Sequence, residues 1–323
     1  MALEAIVSYT GAAPAGRVAG RAVDAQLWGR LIPALSTVEF SQHALLSDCD
    51  EPRQVKVHDA RHSGPLLETH GFELQNQKSA VKDWTARDAA LKVARKEAEA
   101  IVRAATGADR VFAFDNTWRN SRRSNFDSRL GPGGVALNMS AAVARVHTDF
   151  TPDSAVRKID QLVAQKAVPK LAADGKRYRR AIVNVWRAYG VGERVEAAPL
   201  GFIRPETVSA AATFPYALVH GNEAGINGSL SFEASHEWHY FSNMVPDEVA
   251  LFLNYEERAD GGRRSVYHAA LNVDAAQDPG LKDRLSLEVR VLALFEQSAG
   301  RPAGSEAAGM SCEPRRSKRL KLG

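Results

Sequence analysis

The sequence places a histidine and a carboxylate two positions apart, at His147 and Asp149 in the β-type stretch 141–150. On a strand, side chains at i and i+2 point to the same face, so this pair could bind one ion. One imidazole and one carboxylate, joined by a second imidazole, form the facial triad of non-haem iron(II) sites. The same spacing also suits a hydrogen-bonded surface pair, so the iron interpretation depends on a third ligand.

The third ligand is predicted to be His268, in the β-type run 265–273. Its strand face also carries Val266 and Ala270, so a histidine of the hydrophobic core is the alternative interpretation. With His268, the triad would leave positions on the metal open for a co-substrate and for oxygen.

His236 and His239 are rival metal ligands. Their spacing is not that of the HExxH zinc proteases. On a strand they would point to opposite faces, so they are not expected to bind one ion together. Trp238 and Tyr240 share one face and are expected to form part of the core or a pocket wall.

The last predicted strand has a polar face and an apolar face. The polar face carries Arg284, Ser286, Glu288 and Arg290. Such a row is usually the solvent side of a strand, which is the first interpretation. The second is that Arg284 and Ser286 bind the far carboxylate of a keto acid, because a guanidinium holds a carboxylate with two hydrogen bonds.

Arg187 interrupts the apolar strand 181–189. A buried arginine needs an anionic partner. That partner is either a structural acid or a bound acidic substrate.

The charge of the chain is concentrated at its end. Lys and Arg total 42 against 38 acids, but residues 313–323 hold five basic residues and one acid, which leaves 37 of each elsewhere. A neutral body argues against nucleic-acid binding, and no apolar run is long enough for a membrane helix.

The two cysteines, Cys49 and Cys312, predict no disulfide framework, so a cytoplasmic location is expected. The basic segment 315–321 is either a nuclear import signal or a solubilising terminus.

The elements that must position these residues are mostly short strands. Two helices are predicted, 86–106 with Thr85 as cap and Gly107 as stop, and a second with Thr151 as cap and Pro152 in its first turn. Short strands with Gly/Asp/Asn-rich breaks predict an antiparallel sandwich or barrel. The predicted strands are 109–115, 141–150, 181–189, 216–220, 236–241, 248–255, 265–273 and 285–295. A polar loop is predicted over 119–134.

In this order, the motifs resemble the fungal AsaB-type hydroxylase/desaturase family, which includes the gibberellin desaturase and is related to the cephem methoxylase component. The resemblance covers roughly 55–295. It rests on HDAR (58–61), GFEL (71–74), TGA (106–108) with RV (110–111), VHTD (146–149), NVWR (184–187), HEWHYF (236–241), DEV (247–249) and RLSLEVR (284–290). The chain departs from the family pattern at Asn116, Ala188, Leu253 and Leu285, none of which is a predicted ligand.

This resemblance implies an α+β, mainly β fold with a double-stranded β-helix (jelly-roll, cupin-like) core and flanking helices. It implies iron(II) and, usually, 2-oxoglutarate as cofactors. The metal ligands of the family fall on His147, Asp149 and His268. Its Arg-x-Ser element, which grips 2-oxoglutarate, falls on Arg284 and Ser286.

We therefore expect an Fe(II)/2-oxoglutarate-dependent oxidoreductase that uses O2 to hydroxylate or desaturate a small, secondary-metabolite-type molecule. Residues 56–296 would form the catalytic domain, after an N-terminal arm (1–55) and before a disordered basic tail (297–323). The substrate pocket is expected to include Arg187, Trp238, Tyr240 and Arg290. Two alternatives remain, namely a zinc-dependent hydrolase with the same ligands and a non-catalytic binding protein.

Overall fold

The last strand among the described residues forms the centre of one of two layers. β15 (Leu285–Gln297) pairs antiparallel with β7 (Arg177–Tyr189) on one side and with β4 (Arg110–Asn120) on the other. β12 (Glu248–Glu257) continues the sheet beyond β7. Its edges are completed by β3 (Phe72–Asn76), β13 (Arg263–Arg264) and β5 (Ser140–Ala141). We call this layer the major sheet.

The second layer, the minor sheet, has eight strands among the described residues. In spatial order they are β1 (Ala2–Thr10), β2 (Asp50–Asp59), β11 (Trp238–Tyr240), β8 (Leu200–Ile203), β14 (His268–Ala270), β6 (His147–Thr148), β10 (Glu223–Leu230) and β9 (Thr213–His220). Isolated bridges join Ile6 to Asn272 and Ser8 to Arg145. Through these bridges β1 closes the minor sheet around a core of its own, which contains Val7, Trp238 and Leu271.

The computed structural model describes residues 2–10, 50–121, 140–168, 177–190, 194–220, 223–273 and 282–297. Its helices are α1 (Leu67–His70), α2 (Arg87–Thr106) and α3 (Pro152–Ala164), with 3-10 turns at Pro205–Thr207 and Ala210–Ala212. Within these ranges, no helix has the length and apolar character required to cross a membrane. The predicted tail and most of the predicted loop 119–134 lie outside the described residues.

The two predicted helices are present, with one correction. α2 packs its buried face, which includes Ala94, Ala98 and Val102, into the core of the major sheet. It ends at Gly107, whose φ of 67° is the left-handed conformation that favours glycine. The predicted cap Thr85 is wrong, because no side chain caps this helix and the Thr85 hydroxyl donates to Asp83 instead.

α3 begins as predicted, directly after the candidate metal ligands. Thr151 Oγ1 accepts from the backbone N–H of Ser154, and Ser154 Oγ accepts from that of Thr151, which completes a capping box. Pro152 occupies the first turn. The helix packs on Ile182, Tyr255 and Leu292, so the chain that leaves Asp149 is fixed against the major sheet.

The mainly β fold with two curled sheets and flanking helices is confirmed. The strands predicted by long β-type runs, β7, β12 and β15, match within a few residues. The predicted strand 141–150 is wrong as a continuous element. It is interrupted, with pairing at Ser140–Ala141 and His147–Thr148.

Candidate metal centre

The structure brings His147, Asp149 and His268 together. One ligand atom from each lies within 4.8 Å of the others, and all three residues are buried. His147 and His268 face each other across neighbouring strands, with ring centroids 4.4 Å apart. Asp149 follows β6, and its Oδ1 lies 3.7 Å from His147 Nε2. Two imidazoles and one carboxylate therefore converge on one point.

Both imidazoles are oriented by backbone carbonyls. His147 Nδ1 lies 2.8 Å from the carbonyl of Arg145, and His268 Nδ1 lies 3.2 Å from that of Val266. A carbonyl only accepts, so each ring carries its proton on Nδ1 and leaves Nε2 free for a metal. Burial lowers the pKa of His147 to about 3 and also lowers the pKa of His268, so both rings are neutral near pH 7.

The Asp149 carboxylate has one occupied oxygen and one free oxygen. Oδ2 accepts from Asn254 Nδ2 at 2.6 Å, Arg290 Nε at 2.7 Å and Asn184 Nδ2 at 3.2 Å. Burial alone would raise the pKa of Asp149, but the charge of Arg290 holds it well below its usual range. The residue is therefore an ionised ligand that presents Oδ1.

Arg290 is shared among three acids. Besides Asp149, it contacts Asp115 Oδ2 through Nη1 at 3.1 Å, and its Nη2 lies 2.7 Å from Glu288 Oε1. Asp115 is half exposed, whereas Glu288 is buried. Burial raises the pKa of Glu288, against the opposing charge of Arg290. One guanidinium thus links the metal ligand to both neighbouring strands, β15 and β4.

The polar face of β15 is buried, so its interpretation as the solvent side is wrong. Arg284 and Ser286 are each 1% exposed. Arg284 donates to the carbonyl of Ala198 through Nη1 at 2.7 Å, and its guanidinium lies over the Trp186 ring. Burial lowers the pKa of Arg284 to about 9, so it stays charged near pH 7. Within the part of the chain that the structure describes, its Nε and the Ser286 hydroxyl have no hydrogen-bond partner, which points to a ligand at this position.

Comparison with known proteins identifies the family. A family model described as an oxidoreductase/YMDC permease-like domain matches residues 35–294. The chain belongs to this family.

Curated relatives of this oxidoreductase come from fungi. The alpha-ketoglutarate-dependent dioxygenase phiK of a fungal species is 27% identical over 252 residues, which are 75% of this chain and 84% of phiK. The hydroxylase/desaturase efuI of Hormonema carpetanum is 24% identical over 71% of this chain and 79% of its own length. Among solved structures, a variant of the iron and alpha-ketoglutarate-dependent endoperoxidase NvfI matches with a TM-score of 0.68 and 22% identity, over 92% of this chain and 98% of the NvfI chain. The structural match confirms the jelly-roll fold.

Two predicted pocket residues of the oxidoreductase lie away from the triad. Arg187 is on the opposite face of β7 from Asn184, in a small cavity against α2 that Glu97 also lines. It donates to the carbonyl of Pro246 at 2.8 Å. Trp238 lies in the core of the minor sheet and donates to the hydroxyl of Tyr9. Neither side chain is brought to the triad, and both have structural partners.

Tyr240 and Arg290 have different surroundings. Tyr240 is half-buried against the core of the minor sheet, away from the triad. Arg290 does reach the site, as the partner of Asp149 described above.

The rival histidines do not share a ligand position. His236 stacks on Tyr9 at the minor core, whereas His239 lies beside His58 and Phe72. Burial lowers the pKa of His239 to about 4.

Sequence reasoning missed Asn184 and Asn254 as residues of the site. Each is a buried amide with 0% exposure inside a strongly apolar strand. An asparagine in such a strand must find hydrogen-bond partners, and this signal was present in both NVWR and FLNYE. The sequence pattern alone could not show that Asn184 and Asn254 would both donate to Asp149.

Proposed function

We propose that this chain is an Fe(II)- and 2-oxoglutarate-dependent oxidoreductase that hydroxylates or desaturates a small molecule. The buried cluster of His147, Asp149 and His268 carries the proposal. Its donor set is the two-imidazole, one-carboxylate set of non-haem iron(II) enzymes. The names of the relatives agree with this chemistry, since phiK is an alpha-ketoglutarate-dependent dioxygenase and efuI a hydroxylase/desaturase.

The residues present fit both iron and the keto acid. Nε2 of each histidine and Oδ1 of Asp149 would hold the iron, and the remaining positions on the metal would stay open. Arg284 and Ser286 would hold the far carboxylate of 2-oxoglutarate, because their Nε and hydroxyl, which have no partner among the described residues, can donate hydrogen bonds to its oxygens. When bound, iron(II) with 2-oxoglutarate and oxygen supplies an oxidant able to remove hydrogen from a C–H bond.

The chain's own contribution is positioning and exclusion of water. Backbone carbonyls fix the two rings, and the amides of Asn184 and Asn254 fix the carboxylate. The ligands are buried between the two sheets, beside Phe252, whose ring centroid lies 4.6 Å from that of His268. A dry, rigid site of this kind keeps the oxidant away from solvent and directs it to the substrate.

The test combines metal binding with oxygen chemistry. Purified anaerobically, the wild-type chain should bind iron(II) and develop a visible charge-transfer band when 2-oxoglutarate is added. With ascorbate present as reductant, oxygen should then be consumed and succinate formed. His147→Ala should lose the iron and the band. An enzyme that retains zinc, hydrolyses its substrate and needs no oxygen would contradict the proposal.

For the location of the protein, the basic segment 315–321 remains either a nuclear import signal or a solubilising terminus. Fluorescence microscopy of the full chain and of a chain that lacks 315–323 tests it. A nuclear signal that disappears on deletion would support the import signal, and an unchanged distribution would support the solubilising terminus.

A further inference from the structure

We propose that Asn254 is a positioning residue of the metal centre, whose amide holds Asp149 so that Oδ1 alone faces the metal. The inference rests on the proposed function, and it concerns a residue in the sheet opposite to the metal ligands. Asn254 belongs to β12 of the major sheet, whereas His147 and His268 belong to the minor sheet.

Asn254 lies at a β-bulge. Along the pairing of β12 with β7, Leu253 is opposite Val183 and Tyr255 is opposite Ile182, which leaves Asn254 as the extra residue. A bulge changes the direction of a side chain and is common beside active sites. Here Leu253 packs in the main core and Tyr255 packs against α3. The extra residue is thereby aimed at the end of β6, in the other sheet.

The amide uses its full hydrogen-bonding capacity. Its Oδ1 accepts from the backbone N–H of Asp149 and from the Thr148 hydroxyl, each at 3.1 Å. Its Nδ2 donates to Asp149 Oδ2 at 2.6 Å and to Asn184 Oδ1 at 2.7 Å. A side-chain amide has two donors and two acceptor positions, so none is left over. The N–H of Asp149 can only donate, which fixes which end of the amide faces it.

Asn254 therefore grips Asp149 at two points, the main chain and the carboxylate. Asp149 lies just beyond the short strand β6, so the sheet itself does not fix its side chain. Donation to Oδ2 prevents the carboxylate from rotating. Such a rotation would bring Oδ2 to the metal and occupy a coordination position that should stay open. Partners of metal ligands typically change metal affinity by about 10–100-fold when they are lost.

A purely structural role makes a different prediction. If Asn254 only ties the two sheets together, its loss would lower the stability of the metal-free protein and leave the affinity of the folded protein for metal unchanged. A positioning role affects metal affinity in protein that remains folded.

The experiment compares three variants in anaerobic metal titrations. Asn254→Asp has nearly the same shape but loses both donors, and Asn254→Ser serves if the buried acid prevents folding. Tyr255→Phe is the matched control, because it removes a neighbouring hydrogen bond, from the hydroxyl to Glu257, that does not reach Asp149. Iron(II) affinity is measured by competition with a chelator, and manganese(II) affinity by the paramagnetic resonance of the free ion.

Both Asn254 variants should bind metal about 10–100-fold more weakly than wild type. The charge-transfer band of the iron(II)–2-oxoglutarate complex should shift in energy, and Tyr255→Phe should bind like wild type. Wild-type affinity in a folded Asn254 variant, or equal weakening in Tyr255→Phe, would overturn the inference and leave the proposed function intact. A wild-type chain whose metal binding does not depend on His147 would instead overturn the proposed function.

Discussion

The buried polar side chains of the site differ in whether they have hydrogen-bond partners, and this difference indicates their roles. Asp149 Oδ2 has three donors, whereas Arg284 Nε and Ser286 Oγ have no hydrogen-bond partner among the described residues. A satisfied group is part of the scaffold, and an unsatisfied buried group costs free energy unless a ligand completes it. This difference separates the residues that hold the metal ligand from those expected to hold a co-substrate.

Arg284→Gln should weaken 2-oxoglutarate binding by roughly 10–100-fold, the range expected for the loss of a charge-assisted pair. Iron affinity should stay unchanged, because Arg284 contacts no metal ligand. The measurement is an anaerobic titration of the iron-loaded protein with 2-oxoglutarate, followed by the charge-transfer band. Arg187→Gln is the control, a buried arginine of the same sheet that also donates to one backbone carbonyl. Equal weakening in both variants would contradict the assignment.

At the level of elements, two sequence motifs of the resemblance meet away from the metal. Arg61, of HDAR, donates to Glu248, of DEV, at 2.6 and 3.0 Å, and it also donates to the carbonyl of Ser242. This contact ties the end of β2 to the start of β12, and hence the minor sheet to the major sheet. These two motifs therefore form a structural contact between the sheets and do not bind a ligand through this ion pair.

Glu248→Gln should lower stability by about 1–2 kcal/mol near pH 7. Burial acts to raise the pKa of Glu248, but its hydrogen bond to Arg61 is decisive and holds the pKa below its usual value. A lowered folded-state pKa contributes stability above the unfolded-state pKa, and that contribution is lost as the pH falls through the folded-state pKa. Urea unfolding as a function of pH should show the wild-type advantage at neutral pH and its disappearance in acid. A difference in the free energy of unfolding between wild type and Glu248→Gln that stays constant with pH would contradict this account.

The helix that follows the metal ligands begins with a side-chain cap. Thr151→Ala removes the acceptor for the Ser154 N–H and should cost about 1 kcal/mol of stability. Metal affinity should change little, because Asp149 is held by Asn254, Asn184 and Arg290 independently of the cap. Thermal unfolding and iron titration of the same preparation check both parts. Unchanged stability would show that the capping box contributes nothing.

Long elements could be predicted from the sequence, and short ones could not. β7 and β15 are long β-type runs, and α2 has an apolar stripe followed by Gly107, so local pattern was sufficient. β6 has two residues and exists because β10 and β14 pair with it from distant parts of the chain. No local pattern can specify such a strand.

The polar face of β15 shows the same limit. A strand of alternating polar and apolar residues usually exposes its polar side to solvent. Here the minor sheet covers that side of β15, and the site lies between the two sheets. The sequence pattern predicted the alternation of polar and apolar residues, whereas the burial of Arg284 and Ser286 depends on the arrangement of both sheets.

For the whole molecule, the candidate site is also a connection between layers. His147 and His268 belong to the minor sheet and Asp149 directly follows its strand β6, whereas the three donors to Asp149 come from β7, β12 and β15 of the major sheet. A metal bound by His147 and His268 is thereby linked through Asp149 to the opposite layer. Metal binding and the packing of the two sheets should therefore be coupled.

Saturating iron(II) or manganese(II), added anaerobically, should raise the melting temperature of the wild-type chain. A ligand that binds only the folded state stabilises it by about 2.7 kcal/mol when its concentration is 100 times the dissociation constant. His268→Ala should abolish the rise, because only two of the three ligands remain. Arg187→Gln should keep it, since Arg187 lies on the far face of β7. If metal raised the melting temperature of His268→Ala as much as that of wild type, the stabilising ion would be bound elsewhere, and the link between the two sheets through this site would be refuted.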